Sequence, residues 1–599
     1  MASYQQHHHH QQREHNYEVD LPAVVPGVDI EDFPPATHII SRTPSLPPPP
    51  ARFAKSESST TVGEAEPSGL KKLDEEQGLE KWIIVDWEDD DPENPRNWSK
   101  TKKWIITLTV SSLCLAVAFG SAVITGDLKG PQVDLHMSEI VGNLAVTLFV
   151  VGFGLGPLVY APMSEMFGRK PIYIISMGMY AIWTIPSAVA HNTATLLVGR
   201  ALAGLAASAP MTNVGGSVAD LWNLEERGMP MAVFSSVLFI GPVLGPLVGG
   251  FVGETIGWRW NYWVLLIFVG VTWVTTPFTP ETFAVILLRR RAQKLRAETG
   301  NPAYRSATEI SESDVTLGER VQEALIRPFE MLFTEPVLIF MTLYLCLIYM
   351  LLYLFFFAYP IVFQGLHGFS DGLTGLCFLS ILVGILISLV LMHFWTKLYL
   401  KLFHEHGPEA RLPPMMFGSL LLPVSLFIFA WTSFAHVSWV GPMMSGVAFG
   451  WGMVSIYYVA SAMAAKTFVR SMAGAAVPMF VVQMYKGLNP RWASSLLGFV
   501  SVAMMPIPFV FYKWGKNIRA ASRRASEQSH VMSIGSVTRD SPPIASPSSS
   551  LSFTIIIISS FLLFCFFYVE FGRTGLEPEP RGQTAGTDGR TLRSNAQFS

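Results

Sequence analysis

Apolar runs of about 20 residues, the length that crosses a bilayer as a helix, recur from Lys103 to residue 512 between short polar turns. They divide into twelve spans, at roughly 103–125, 140–162, 170–190, 194–219, 229–252 and 258–277, then 336–363, 371–395, 413–433, 437–457, 464–484 and 492–512. Six precede and six follow a polar segment, Phe278 to Glu335. The pattern predicts an all-α membrane protein of two six-helix bundles around a central cavity, the build of many secondary carriers. Channels and multi-span membrane enzymes share the span count, so it leaves the function open.

The expected organisation is a disordered cytoplasmic arm over 1–100, a first bundle over 101–277, a cytoplasmic central loop over 278–335 and a second bundle over 336–515, followed by a tail over 516–599. The arm holds a Gln/His tract (Gln5 to Gln12), a proline run (Pro47 to Pro50) and a Ser/Thr cluster (Ser58 to Thr61), without helical or strand periodicity. It has no signal-peptide pattern, so the first span is expected to direct insertion. Orientation follows from basic residues. The central loop carries Arg289, Arg290, Arg291, Lys294, Arg296, Arg305, Arg320 and Arg327, and on the same side fall Arg169, Lys170, Arg227, Lys397, Lys401, Arg411, Lys466 and Arg470. The opposite side keeps Lys129, Arg259, Lys486 and Arg491. Arm, loop and tail junction are therefore expected in the cytoplasm.

Composition narrows the field. Of 599 residues, 50% are hydrophobic and 15% charged, against about 25% charged in ordinary soluble domains, which excludes one large soluble enzyme. A net charge of -3 provides no basic footprint for nucleic acid. Cys114, Cys346, Cys377 and Cys565 stand singly in apolar runs, as small hydrophobes rather than metal ligands or disulfide partners. No metal or cofactor is expected, and no Walker motif offers ATP as a drive.

Three local patterns carry chemistry. Between the second and third spans, Gly156 to Pro171 ends in Ser164-Glu165-Met166-Phe167-Gly168-Arg169-Lys170. Glu165 and Arg169 can pair along one helical turn, Gly168 permits a tight reversal, and Arg169 with Lys170 anchors one face. In the fourth span, Arg200 lies about two turns inside an apolar run, where a cation costs on the order of 3 kcal/mol on insertion scales, so it should face the bundle interior or snorkel. In the fifth, Gly241, Gly245 and Gly249 form a side-chain-free stripe beside Pro242 and Pro246, with Gly250 at its end; such a face admits a neighbouring helix closely, and the prolines bend it.

The hairpin, the Arg200-x-x-x-Gly204 pattern and the Gly-Pro-x-x-Gly-Pro-x-x-Gly-Gly segment resemble three signature motifs of the major facilitator superfamily, the last typical of its drug:proton antiporters. Trp258 to Trp263, Pro280-Glu281-Thr282-Phe283, Tyr359 to Phe363, Arg491 to Ser495 and Pro506 to Phe509 are similar to the fungal multidrug and polyamine branch, over about residues 85–525. The resemblance implies the major facilitator fold and proton-coupled export by alternating access. It makes Glu165, Gly168, Arg169, Lys170, Asp220 and Arg227 a cytoplasmic gate, Arg200 a proton-transfer residue, and Gly241 to Gly250 an antiporter bend. Met166 stands where many members carry a basic residue.

Two stretches depart from the family. Only seven residues, Met453 to Val459, separate Gly450-Trp451-Gly452 from Ala460-Ser461-Ala462, where the family has a longer stretch with Asn-Tyr and an Asp. The inner end of the tenth span is thus short, and an inactive truncated isoform is an alternative. Residues 551–571 are long and apolar enough to be an extra C-terminal span, or an interfacial tail.

Few charges besides Arg200 lie within the spans. Tyr349, Tyr353, Asn213, Gln364 and Gln483 are candidates for the substrate cavity, with helix packing the plainer role for each. Asp127, ending the first span, is a candidate proton acceptor. The expected partners are a small-molecule substrate (drugs, toxins or polyamines), protons and the lipid bilayer, for a monomer in the plasma membrane or the vacuolar membrane. A nutrient symporter is the alternative transporter, disfavoured by the Gly-Pro bend. A membrane enzyme would rest on His404-Glu405-His406, read here as a solvated turn.

Overall fold

In the computed structural model, residues 82–520 are described, except for residue 89, residues 224–225, much of 312–334, and 460–463. The Gln/His tract, most of the arm and the 551–571 segment lie outside the described residues.

Among those described, nine helices are long and apolar enough to cross a membrane. The first two spans are Lys100–Ala122 and Glu139–Leu155, the second continuing as Pro157–Phe167; the third is Arg169–Ala188, the fourth Thr193–Leu221, the fifth Gly228–Ile256 and the sixth Arg259–Thr275. The seventh is Pro336–Tyr359, the eighth Asp371–Cys377 followed by Leu379–His406, the ninth Pro413–Thr432 and the tenth Val440–Val459. The stretch Ala464–Met504 holds the eleventh and the start of the twelfth, which divide where Asn489 takes a φ of 62° before Pro490. Pro506–Ala520 completes the twelfth. Starts are set by side-chain caps: Ser99, Ser138, Asn192 and Ser370 each accept a backbone N–H of the first turn.

Helix neighbours repeat with a shift of six. The first span packs on the fifth, the second and third on the fourth, and the third on the sixth; the seventh packs on the eleventh, the eighth and ninth on the tenth, and the ninth on the stretch holding the twelfth. The halves meet where the fifth span lies on the eighth and the second on the eleventh, so each half offers the same pair of helices to the other. Ile175, Ile182, Ile267, Val271, Val390 and Val424 are exposed on the outside, a surface suited to lipid rather than water.

Three expectations change. The arm is not irregular throughout: Ile83–Val85 pairs in parallel with Tyr304–Ser306 of the central loop, because Asp91 binds Arg291 while Arg305 and Arg291 lie over the rings of Trp82 and Trp87. The loop itself contains the helix Ala284–Thr299. His404, Glu405 and His406 form the last turn of the eighth span rather than a free turn, since that helix continues until Gly407 adopts a φ of 58°.

Candidate functional site

We call the side that bears arm and loop the arm face, and the other the far face. The arm-face cluster is built around Gly168, whose φ of 97° turns the second span into the third. A Cβ there would collide with the Glu281 carboxylate. Arg169 is 3% exposed. Its Nε lies 3.6 Å from Asp220, its Nη1 donates to Ser164 Oγ at 2.7 Å, and its guanidinium rests 4.7 Å over Phe283. Gly216 leaves room for it: a Cβ there would stand 2.8 Å from Nη2. Lys170 donates to the Pro277 carbonyl at 2.7 Å. Arg227 donates to the carbonyls of Ala219 and Trp222, closing the end of the fourth span.

Glu281 is the acid that sequence reading left without a role. Its carboxylate accepts the backbone N–H groups of Arg169 at 3.0 Å and Lys170 at 3.1 Å, at the positive end of the third span, and those of Thr282 and Phe283. The signal was present in Pro280-Glu281-Thr282-Phe283, but its partner is more than 100 residues away in sequence. Glu165 is half-buried, and the ion pair of Arg169 is with Asp220 instead. Asn213 joins this cluster, accepting Ser164 Oγ at 3.0 Å.

Arg200 is buried at 1% exposure and faces the bundle interior. Its Nε donates to Ala145 O at 3.1 Å, Nη1 to Gly120 O at 2.9 Å and Nη2 to Ser121 O at 3.5 Å. The Phe149 ring lies 4.2 Å from its guanidinium carbon. The cation ties the first, second and fourth spans through carbonyls, and no carboxylate pairs with it among the described residues.

The glycine stripe of the fifth span lies on the first. A Cβ at Gly241 would stand 2.6 Å from Ala118 Cβ, one at Gly245 would stand 2.8 Å from Ala122, and one at Gly249 would overlap the Val123 carbonyl. The other side of the same helix meets the opposite half: a Cβ at Gly250 would be 2.6 Å from Asp371 O, and one at Gly375 would be 2.5 Å from Pro246 O. Pro242 and Pro246 are buried within the continuous helix.

Asp127 and Gln364 sit on the far-face seam. Asp127 accepts the Gly130 N–H at 2.8 Å, and burial raises its carboxyl above the usual range. Gln364 accepts Lys129 Nζ at 3.0 Å and donates to Asp371 at 2.8 Å, so it links the halves at the far face. Lys486 pairs with Glu139 at 3.0 Å, and Glu254 accepts the Gly372 N–H at 2.9 Å. Gln483 is exposed on the eleventh span.

Tyr349 and Tyr353 are buried between the halves. Phe239 of the fifth span packs edge-on against Tyr349, at 6.2 Å, and Tyr457, at 5.1 Å, so aromatic rings of the two halves meet here. Arg470 is the second residue that sequence reading missed. It counts as a face-setting charge in the sequence but is 1% exposed in the midst of these rings, donating to Tyr457 Oη at 2.6 Å. Its place seven residues into an apolar helix is the signal that singled out Arg200.

The fold and these clusters define a polytopic membrane carrier. The model of the Major Facilitator Superfamily matches residues 108–482, and the chain belongs to that family of transporters. It is 47% identical over 464 residues to the MFS-type transporter paaT of Penicillium rubens, covering 74% of this chain and 84% of that one. It is 40% identical over 466 residues to the multidrug transporter mdrA of Aspergillus fumigatus (75% and 77%), and 41% identical over 446 residues to Polyamine transporter 3 of Saccharomyces cerevisiae (72% and 71%).

Proposed function

We propose that the protein is a proton-coupled exporter of small molecules, working by alternating access as a monomer in the plasma membrane with the arm face in the cytoplasm. The observation that carries this is the fifth span, which has a glycine stripe against its own bundle and a Gly-Pro face against the other. A helix packed without side chains on both sides can slide or tilt at low steric cost, as a rocking seam requires. Relatives named as multidrug and polyamine transporters support export of small organic molecules.

In this reading the far face is the more firmly linked of the two. Polar links between the halves gather at the far face, while the arm-face cluster of Arg169, Asp220, Glu281, Ser164 and Asn213 binds within the first half. Glu165, half-buried and outside that ion pair, is then available to engage the second half when the arm face closes. Arg200 couples proton movement to the packing of spans one, two and four. The test is substrate accumulation in cells lacking their own exporters, with and without an uncoupler. Export predicts lower internal substrate on expression and recovery when the proton gradient collapses. Raised accumulation would favour the nutrient symporter, and no change in either direction the truncated inactive isoform suggested by the short tenth-to-eleventh join.

A further inference from the structure

The two buried arginines are satisfied differently. All three nitrogen positions of Arg200 donate to carbonyls. Among the described residues, Arg470 uses only Nη1, on Tyr457, and its Nε and Nη2 are buried without a hydrogen-bond partner. Those two nitrogens form the side edge of the guanidinium, the fork that a carboxylate meets with two parallel hydrogen bonds. A buried cation with an unused fork is costly in a dry interior and is retained where a ligand completes it.

The surroundings favour an organic anion. Tyr349 lies 4.3 Å and Tyr457 5.1 Å from the guanidinium carbon, and Phe239 of the opposite half packs on both rings. The wall is therefore aromatic and shared by both bundles. Among the described residues, the buried charges nearest in sequence are Lys466 and Arg470 itself, both cations, whereas Asp220 and Glu281 are engaged by Arg169 and by backbone amides, and Glu165 lies within the field of Arg169. A polyamine entering here would meet like charge and no acid.

We propose that Arg470 is a substrate-binding residue, whose free guanidinium edge, framed by Tyr349 and Tyr457, receives the carboxylate of an aromatic or apolar organic acid. The assignment deepens the export reading and rests on it for direction, not for binding. A cytoplasm near neutral pH holds such acids ionised, so charge recognition would operate on the loading side.

The test is equilibrium binding to the purified full-length protein in nanodiscs, with benzoate, the uncharged isostere benzamide, and spermidine as probes. Benzoate should bind at least about tenfold more tightly than benzamide, and spermidine should not compete. Arg470→Gln should erase the benzoate preference, and Arg470→Lys should keep part of it, as a point charge without the fork. Monodisperse elution of each variant, with a melting temperature close to the native one, serves as the folding control. Equal binding of benzoate and benzamide, an unchanged preference in Arg470→Gln, or spermidine as the tighter ligand overturns the proposal. Benzoate bound through Arg470 but not moved by a proton gradient in vesicles would instead overturn the export reading. Gradient-driven spermidine transport without benzoate binding would do the reverse.

Discussion

Arg200 holds three helices by donating to Ala145, Gly120 and Ser121, and hydrogen bonds from a charged donor contribute about 1.5–3 kcal/mol each. Arg200→Ala should abolish proton-driven export while the protein still reaches the membrane, measured as substrate efflux against surface abundance; wild-type efflux would remove the residue from coupling. Asp127 gives a pH dependence whose sign is fixed by burial. Its carboxyl is raised chiefly by desolvation, with Asp371 and Asp134 adding to the effect and the Gly130 amide and Lys129 opposing it. The far-face-closed conformation therefore binds the proton more readily than an exposed carboxyl does, and loses stability as pH rises from the ordinary carboxylate range through the raised value. Asp127→Asn should make the hydrogen-exchange protection factors of the 127–134 and 365–373 segments, taken relative to the intrinsic rate at each pH, independent of pH, where in the native chain protection falls as pH rises; identical profiles would exclude Asp127 as the titrating group. Sequence reading found Gly168, Arg169 and Arg200 because each stands out within its own segment. It missed the place of Glu281 and Asn213 in the arm-face cluster because their contacts there arise only on folding.

The fifth span makes neighbouring glycines separable by function. Gly249 faces the first span of its own bundle, and Gly250 faces the eighth span of the other. Overfilling a tight contact costs typically 1–3 kcal/mol. Gly249→Ala should therefore lower the melting temperature of the purified protein. Gly250→Ala should lower it less, because the seam can part to relieve the clash, and should raise accessibility of the far-face seam to a water-soluble thiol reagent at an engineered cysteine. Equal effects from the two would mean that the helix does not divide its faces between bundle and seam. The stripe and the prolines were legible in the sequence, since period-four glycines in an apolar run have few other uses. That Gly250 and Pro246 touch the opposite half was not, because the hydropathy that defines a span says nothing about its neighbours. Span limits agree closely with the apolar runs, and the eighth runs on to His406 because Lys397 and Lys401 are good helix formers beyond the apolar core.

Across the whole molecule, the six-shifted repeat of helix neighbours places identical pairs at the seam, so a rotation of one half about the other opens one face as it closes its opposite. The far face is held by Lys486 with Glu139, Lys129 with Gln364, and Glu254 with the Gly372 amide. The first pair is 69% and 52% exposed, so its charge attraction is screened and adds little; helix packing carries the closure. Replacing both residues, Glu139→Cys with Lys486→Cys, should consequently leave transport near the native rate, because only a weak pair is lost. Joining the two thiols with a short bifunctional maleimide should then stop transport, because the far face could no longer part, while binding from the arm face persists. Among the described residues, the native cysteines at 114, 346 and 377 are buried and compete little for the reagent, and the tested chain carries Cys565→Ser. Transport by the fully cross-linked protein at the uncross-linked rate would show that the seam between the second and eleventh spans does not open during the cycle, and would leave the fifth and eighth as the only moving contact.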